Sequence, residues 1–280
     1  MRWLVLWALV TVIGAFGVVA SFNSVRFARR VGREVREMAA ASNAERRPLD
    51  PARLASLPPP VQRYLRKAIA RRGDFIQRVR LRHAGEFRPS LDGKWLPISG
   101  QQHFNADPPG FIWWGRVRML PGIWIDARDR SVGGEGNMWV TFESTVTIAD
   151  SRGPELDQGA LLRLLGEMAW FPTVFLDDRY VQWSAIDDRR AAATLRVGGR
   201  TVSGEFTFGP DGLPDAFMAG RYRDTGGGKS ALTPFVGRVG NFRLVDGVLV
   251  PFRVIGAWVL DGQTKEYAKF DVEEIQFDRW

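Results

Sequence analysis

Two ionisable side chains on one apolar segment are the first candidates for chemistry in this sequence. Arg163 and Glu167 lie four residues apart within "RGPELDQGALLRLLGEMAWFP", so a helix places them about 40° apart on one narrow stripe. In one interpretation they form a solvated ion pair, which adds only a few tenths of a kcal/mol. In the other, both face a cavity and hold the polar head group of a ligand, as the few polar groups of an apolar pocket do.

The two histidines, His83 and His103, are the next candidates, and both fall in strand-like patterns. His83 shares an apolar face, which favours a hydrogen-bonded core histidine over a catalyst. A metal site would need carboxylates such as Glu86 or Asp107, and no ligand spacing supports one. The sequence therefore predicts no metal and no cofactor.

The acidic cluster in "IDARDRSVGGEG" contains Asp126, Asp129 and Glu135. If this segment is a strand, Asp126 and Asp129 point to opposite faces, which weakens a paired-carboxylate mechanism. "RDTGGGKS" at 223–230 lacks the spacing and the following helix of a phosphate-binding loop, so it predicts a hairpin tip. The chain also lacks a nucleophile elbow. These patterns favour a non-catalytic role, and they leave open an enzyme that uses Asp126 or Glu167.

The elements that position these groups are mainly strands. A short helix is predicted after Pro60, and from Phe75 onward apolar and polar residues alternate with the period of half-buried antiparallel strands. Turn signals of the Asp-Gly and Gly-Gly type separate the runs. Near the end the phase slips, which predicts a bulge near Glu273. The sequence predicts a mainly β (α+β) fold, with a curved antiparallel sheet, or half-barrel, of about nine to eleven strands.

The segment 154–171 is predicted to be one long helix packed in the concavity of that sheet. Its apolar arc covers about twice the 100° that a surface helix needs. Either the sheet wraps around it, or a bound apolar ligand covers its other side. Eight residues are therefore predicted to contact a ligand, with core packing as the alternative for the aromatic ones: Trp113, Leu161, Leu165, Glu167, Met168, Trp170, Phe171 and Trp183.

The amino terminus predicts a membrane anchor. The uncharged run from Trp3 to Phe22 is about 30 Å long as a helix, which matches one bilayer core. The predicted organisation is a transmembrane anchor with a basic juxtamembrane helix at 1–38, a linker at 39–56, and the β half-barrel at 57–280. Five arginines after the span favour a cytoplasmic domain, although they also suit anionic head groups on either face.

Composition limits the partners. The 280 residues include no cysteine, which excludes disulfides and thiolate chemistry. The net charge is +8, and half of it lies in residues 1–50, which hold eight arginines and four acidic residues. The rest is only mildly basic, so nucleic-acid binding is not predicted.

Several local patterns together resemble a known family. They include "LPPPVQRYLRKA", "PPGFIWWGRVRMLPG", the helix segment and "FRLVDGVLVPFRVIGAW". Their combination is similar to an uncharacterised bacterial family defined only as a domain of unknown function, number six-five-four-four, from about residue 57 to the carboxyl terminus. The turn from Phe242 to Pro251 also resembles a turn of the lipoprotein-carrier half-barrels. That looser resemblance implies helices in a curved sheet, an acyl-chain site between them, and an extracytoplasmic domain.

These observations predict a single-pass protein of the bacterial inner membrane that binds an apolar or lipid-like ligand without catalysis. The membrane face of the domain stays open, since the charge bias and the half-barrel resemblance disagree. Two alternatives also stay open: a protein-interaction or assembly domain at the membrane surface, and an enzyme that acts on a lipophilic substrate.

Overall fold

A computed structural model describes residues 2–43 and 45–279 of the chain. The side chains at 2, 4–6, 8–10, 12 and 13 lie outside the described part. The helices are α1 (Arg2–Ala40), α2 (Pro51–Ala55), α3 (Pro59–Ala68) and α4 (Pro154–Glu167), and two 3₁₀ turns follow α4, Met168–Trp170 and Pro172–Leu176.

Thirteen strands form one open antiparallel sheet. They are β1 (Arg78–Phe87), β2 (Leu96–Ala106), β3 (Pro109–Leu120), β4 (Ile123–Val132), β5 (Glu135–Phe142), β6 (Val146–Ser151), β7 (Val181–Asp187), β8 (Arg190–Val197), β9 (Arg200–Phe208), β10 (Pro214–Gly226), β11 (Lys229–Val245), β12 (Val248–Leu260) and β13 (Gln263–Phe277). The mainly β, antiparallel prediction is confirmed, but the predicted nine to eleven strands are too few. Strands such as β6, which is almost wholly exposed, carry no apolar alternation and cannot be counted from it.

Two meanders make up the sheet, β1–β6 and β7–β13, and they join where β1 pairs with β13. Arg82 pairs with Glu274 and His83 with Val272, so Glu273 is an extra residue in β13. This is the predicted bulge. The connection between the meanders contains α4, so the helix must cross from one half of the sheet to the other.

The sheet curves until its two halves touch. The β4–β5 turn meets the β8–β9 turn so closely that a Cβ at Gly198 would lie 1.8 Å from the carbonyl oxygen of Gly133. Gly198 also has a φ of +57°, which other residues rarely adopt. Only glycine permits this backbone contact, and the contact gives the sheet a concave inner face.

Helix α4 lies against that inner face and contacts both halves. On one side, a Cβ at Gly136 of β5 would lie 2.8 Å from the carbonyl of Leu156, and on the other Phe217 of β10 packs on Gly166. Asp157 ties the halves together, since it accepts the backbone N–H of Gly136 at 2.7 Å and pairs with Arg200 of β9 at 2.9 Å. Leu161 and Leu165 are fully buried as a result. The predicted helix ends at Glu167 rather than 171, and the 3₁₀ turns continue the segment.

The predicted anchor and basic segment form one helix, α1. Its second half packs on the outer face of the sheet, where Phe27, Val31, Val35 and Met38 bury Ile112 of β3. Within the described residues, no helix combines the length and the apolar character of a membrane span. Many side chains of the predicted span lie outside the described part, and the structure gives the anchor no support.

The segment predicted as a linker, 39–56, is attached to the domain where the structure describes it. Pro48 forms a β-bridge with Asp74, and Leu49 donates its N–H to the carbonyl of Gly73 at 2.9 Å. Asp50 caps α2 by accepting the N–H of Ala52 at 2.8 Å. Backbone pairing therefore holds this segment, although its composition resembles a tether.

Candidate functional site

A polar cluster lies between α4 and the inner face of the sheet, and Arg163 is its centre. The Arg163 guanidinium donates from Nε to Glu167 at 2.8 Å, from Nη1 to Asp129 of β4 at 2.8 Å, and from Nη2 to the amide oxygen of Gln102 of β2 at 3.2 Å. Gln102 closes the ring by donating to Glu167 at 2.7 Å. The predicted Arg163–Glu167 pair thus exists, but it faces the sheet and not bulk solvent.

The electrostatics of the cluster follow from its burial. Burial raises the pKa of Glu167, against the opposing pull of Arg163 and Gln102. Burial alone would lower the pKa of Arg163, but Glu167 and Asp129 hold it above its usual range. The hydrogen bonds on both oxygens of Glu167 favour its carboxylate, so we take the pair as ionised at neutral pH.

The cluster contains two carboxyl groups, those of Glu167 and Asp129, and one guanidinium, that of Arg163. Asp129 is 5% exposed, and within the described part of the chain its Oδ1 has no hydrogen-bond partner. The side chains of Arg163 and Glu167 each keep 17% of their surface exposed. Solvent or a ligand can therefore reach the Arg163–Glu167 end of the cluster, whereas the Oδ1 of Asp129 is buried.

Aromatic side chains continue from the cluster along the inner face. The Arg163 guanidinium lies 5.1 Å from the centroid of Trp113, and the Trp113 indole donates to Nε2 of His83 at 2.8 Å. Burial and then Arg163 lower the pKa of His83 to about 3, so its ring is neutral. Because Nε2 accepts, we assign the ring proton to Nδ1. His83 in turn stacks on Phe270 at 4.4 Å.

Beyond His83 lies a set of half-buried aromatic residues that we call the aromatic strip. Tyr267 is its centre, with ring centroids 5.9 Å from Trp258, 6.1 Å from Phe87 and 6.5 Å from Phe235. Tyr267 lies over Gly256, where a Cβ would approach the ring to 3.2 Å. The members of the strip are Phe87, Phe235, Trp258, Tyr267 and Phe270, and all keep partial exposure. The concave face thus carries an accessible apolar surface that α4 does not cover.

The predicted ligand contacts divide into two groups. Leu161, Leu165, Met168, Trp170 and Phe171 are 4% exposed or less and belong to the main core. Trp170 also has its indole N–H bonded to the carbonyl of Pro251 at 2.9 Å. Trp113 and Glu167 border the cluster, and Trp183 packs at the edge of the core, where it donates to the carbonyl of Phe175 at 3.2 Å. The structure therefore brings Glu167 to the partly exposed end of the polar cluster, and Trp113, 7% exposed, is a core residue beside it.

The other predicted candidates do not converge. Asp126 and Asp129 point to opposite faces, since Asp126 bonds to Arg116 and Ser144 on the outside and Asp129 to Arg163 inside. No group of three or more histidines or acids in the described residues is arranged to hold a metal ion. The "RDTGGGKS" segment is a hairpin tip, as predicted, with β10 ending at Gly226 and β11 beginning at Lys229.

A surface cleft of about 420 Å³ lies elsewhere, beside the end of β13. Its arginines are mostly neutralised by neighbouring acids: Arg46 pairs with Asp74 at 2.8 Å and Arg72 with Asp278 at 2.5 Å. None of the predicted ligand contacts lines this cleft. Because acids already neutralise most of these arginines, this open surface offers no strong site for an anion.

Comparison with known families fits the sequence patterns. A family model described as "Family of unknown function (DUF6544)" matches residues 47–270, which is most of the chain. The chain belongs to this family. The match to DUF6544 begins within the segment first taken as a linker and ends in β13, so the family includes α4 and all of the first twelve strands. No curated protein matches the chain.

Sequence reasoning missed Gln102 and most of the strip. Gln102 lies in "SGQQHFNA", where three consecutive polar residues interrupt the apolar–polar alternation that would identify the inward-facing side chains of β2. Tyr267 is displaced by the irregular pairing between Gly256 and Ala257, which breaks the alternation around it. Trp258 ends the segment "FRLVDGVLVPFRVIGAW", and Gly256 two residues before it is the sequence signal that a ring, that of Tyr267, packs on the strand there.

Proposed function

We propose that this chain is a membrane-anchored, non-catalytic domain that binds an apolar or lipid-like molecule in the concavity of its sheet. The half-exposed aromatic strip carries this proposal. Monomeric domains normally bury such a surface, and aromatic-lined concave faces with few polar groups are typical of ligand sites. The lipoprotein-carrier resemblance points to the same use of the inner face.

The polar cluster supports a choice of head group. A ligand that lies along the strip would reach Glu167 and Asp129 past His83 and Trp113. The cluster holds two carboxyl groups against one guanidinium, and Glu167 is its partly exposed acceptor, so it suits a hydroxyl or amine and disfavours a carboxylate. The proposed contacts are therefore the strip, with Trp113 and Glu167, and the buried leucines of α4 act as core.

Membrane attachment is the second part of the proposal. The apolar run at 3–22 would hold the chain in the bacterial inner membrane, with the basic turns of α1 at the head groups. Flotation of the full chain with lipid vesicles tests this part by itself. A chain that stays at the bottom of the density gradient would remove the anchor and leave the ligand proposal in place.

Fluorescent fatty alcohols and fatty acids of equal chain length test the ligand site. We expect the full chain to bind the alcohol saturably and the acid more weakly. Tyr267→Ala should weaken binding about tenfold, because it removes one large apolar contact worth roughly 1.5 kcal/mol.

Tyr222→Ala is the matched control, because Tyr222 is 38% exposed and lies on β10, away from the strip. It should leave affinity unchanged, and thermal unfolding should show that both variants fold. Equal losses in the two variants, or no saturable binding of either probe, would refute the site.

A further inference from the structure

Two neighbouring hairpins carry exposed apolar residues at one end of the sheet. On the β3–β4 hairpin, Leu120 is 64% exposed and Met119 beside it 39%. On β6, just after the β5–β6 turn, Val146 is 55% exposed and Ile148 56%. We call these four residues the apolar tips. Large apolar side chains grouped at exposed turns are unusual in a free monomer and mark a contact surface.

The two hairpins are held together as one rigid unit. The N–H of Glu143 in the β5–β6 turn donates to the carbonyl of Trp124 in β4 at 3.0 Å. Asp126, fully buried, accepts from Arg116 at 2.7 Å, from the Trp124 indole at 2.9 Å and from Ser144. A shared buried acceptor of this kind fixes the relative position of both turns, so the tips present a single surface.

Helix α1 leaves the domain beside this surface. Arg116 donates to Ser24 at 2.9 Å, and Asn23 donates to Thr145 at 3.3 Å, so the α1 residues before them extend past the hairpin tips. That part of α1 is exposed and apolar, with Phe22 at 61% and Val18 at 71%. The tips therefore continue the apolar surface of the helix.

Arginines border this apolar surface. Arg26 and Arg29 are exposed on the next turn of α1, and Arg118 is exposed beside the β3–β4 tip. An apolar patch with a basic border matches the interface of a bilayer that contains anionic lipids, because arginines near the surface are attracted to anionic head groups. A protein partner would need complementary acids, and the chain itself is basic, with a net charge of +8.

We infer that the apolar tips dock on the bilayer surface and insert into the head-group region beside α1. The strand register determines where the aromatic strip lies relative to these tips. Because β1 pairs with both β2 and β13, the β1–β2, β3–β4 and β12–β13 turns lie at the same end of the sheet. Phe87 ends β1 there and Trp258 lies two residues before the end of β12. The open end of the aromatic strip then faces the bilayer, whatever ligand it binds.

The absence of cysteine allows a direct test in the full chain. Single variants Leu120→Cys and Ile148→Cys carry an environment-sensitive dye and are reconstituted in phosphatidylcholine vesicles with and without phosphatidylglycerol. Leu244→Cys is the matched control, since Leu244 is 52% exposed and adjoins the β11–β12 turn at the opposite end. Aqueous acrylamide, an uncharged quencher that anionic lipids do not repel, reports how far water reaches each dye.

We expect acrylamide quenching at positions 120 and 148 to be about fivefold lower than at 244, since interfacial residues lie about 5–10 Å deep. Phosphatidylglycerol should increase the protection. Equal quenching at all three positions would overturn docking. Protection that persists in a lipid-free amphipathic polymer and grows with protein concentration would assign the surface to a second copy. Protection that is the same in both lipid mixtures would overturn the role of anionic head groups. This inference rests on the proposed membrane attachment: a chain that floats with vesicles but shows equal quenching at the three positions would refute docking alone, and the fatty-alcohol assay tests the ligand site separately.

Discussion

Replacement of Arg163 by methionine tests whether the polar cluster is integral to the fold. Methionine keeps the apolar length of the side chain, and it removes the hydrogen bonds to Glu167, Asp129 and Gln102. Two carboxylates would then stay within the sheet without a cation. Removal of one partner from a buried ion pair typically costs about 3–5 kcal/mol. Because Arg163 and Glu167 are each 17% exposed, we expect the lower end of that range, about 3 kcal/mol at pH 7.

Equilibrium urea unfolding, followed by the near-ultraviolet signal of the buried tryptophans, measures this loss. Arg253→Met is the control, because Arg253 pairs with Asp271 at 2.9 Å and both side chains are about half exposed. An exposed pair of that kind should cost less than about 1 kcal/mol. If Arg163→Met is no more destabilising than Arg253→Met, the cluster contributes little to stability and the reasoning fails.

The pH dependence of the same variant gives a second check. Without Arg163, burial should raise the pKa of Glu167 further above its unfolded value. A raised folded pKa contributes stability at low pH, and this stability is lost as the pH rises through the folded pKa. Arg163→Met should therefore be closer to wild type at about pH 5 than at pH 7, and Glu167→Gln in the same background should reduce that difference.

Two further predictions concern the ionisation of His83 and the contact that closes the sheet. His83 has a folded pKa of about 3, so its ring should stay neutral from about pH 8 down to about pH 5 in an NMR titration. The stability that neutral His83 contributes above its unfolded pKa should decline as the pH falls toward 3, by at most about 1.4 kcal/mol per pH unit. A ring titration near pH 6.5 would contradict its burial. Gly198→Ala should destabilise the fold more than Gly199→Ala, because both residues have a positive φ but only position 198 would place a Cβ against Gly133. Equal losses of thermal stability in the two variants would show that the contact between the two halves of the sheet does not stabilise the fold.

The sequence alone determined the local features of this protein. Alternation identified the antiparallel strands, the phase slip located the bulge near Glu273, and the wide apolar arc predicted a helix in the concavity of the sheet with Leu161 and Leu165 inward, against either the sheet or a ligand. These features depend on periods of two and 3.6 residues, which any strand or helix imposes on its buried face. The family resemblance was also readable, because its motifs are contiguous in the chain.

Tertiary structure decided which side chains meet. Arg163 and Glu167 were visible as a pair, but Gln102 and Asp129 join them from strands 61 and 34 residues away in sequence. Burial of Trp170 and Phe171 in the core, and exposure of the strip around Tyr267, depend on how far α4 fills the concavity. That filling is set by the contact of the β4–β5 and β8–β9 turns, which are remote in sequence. No local period encodes the distance between the two halves of a sheet, so the position of the site follows from curvature and closure rather than from any single segment.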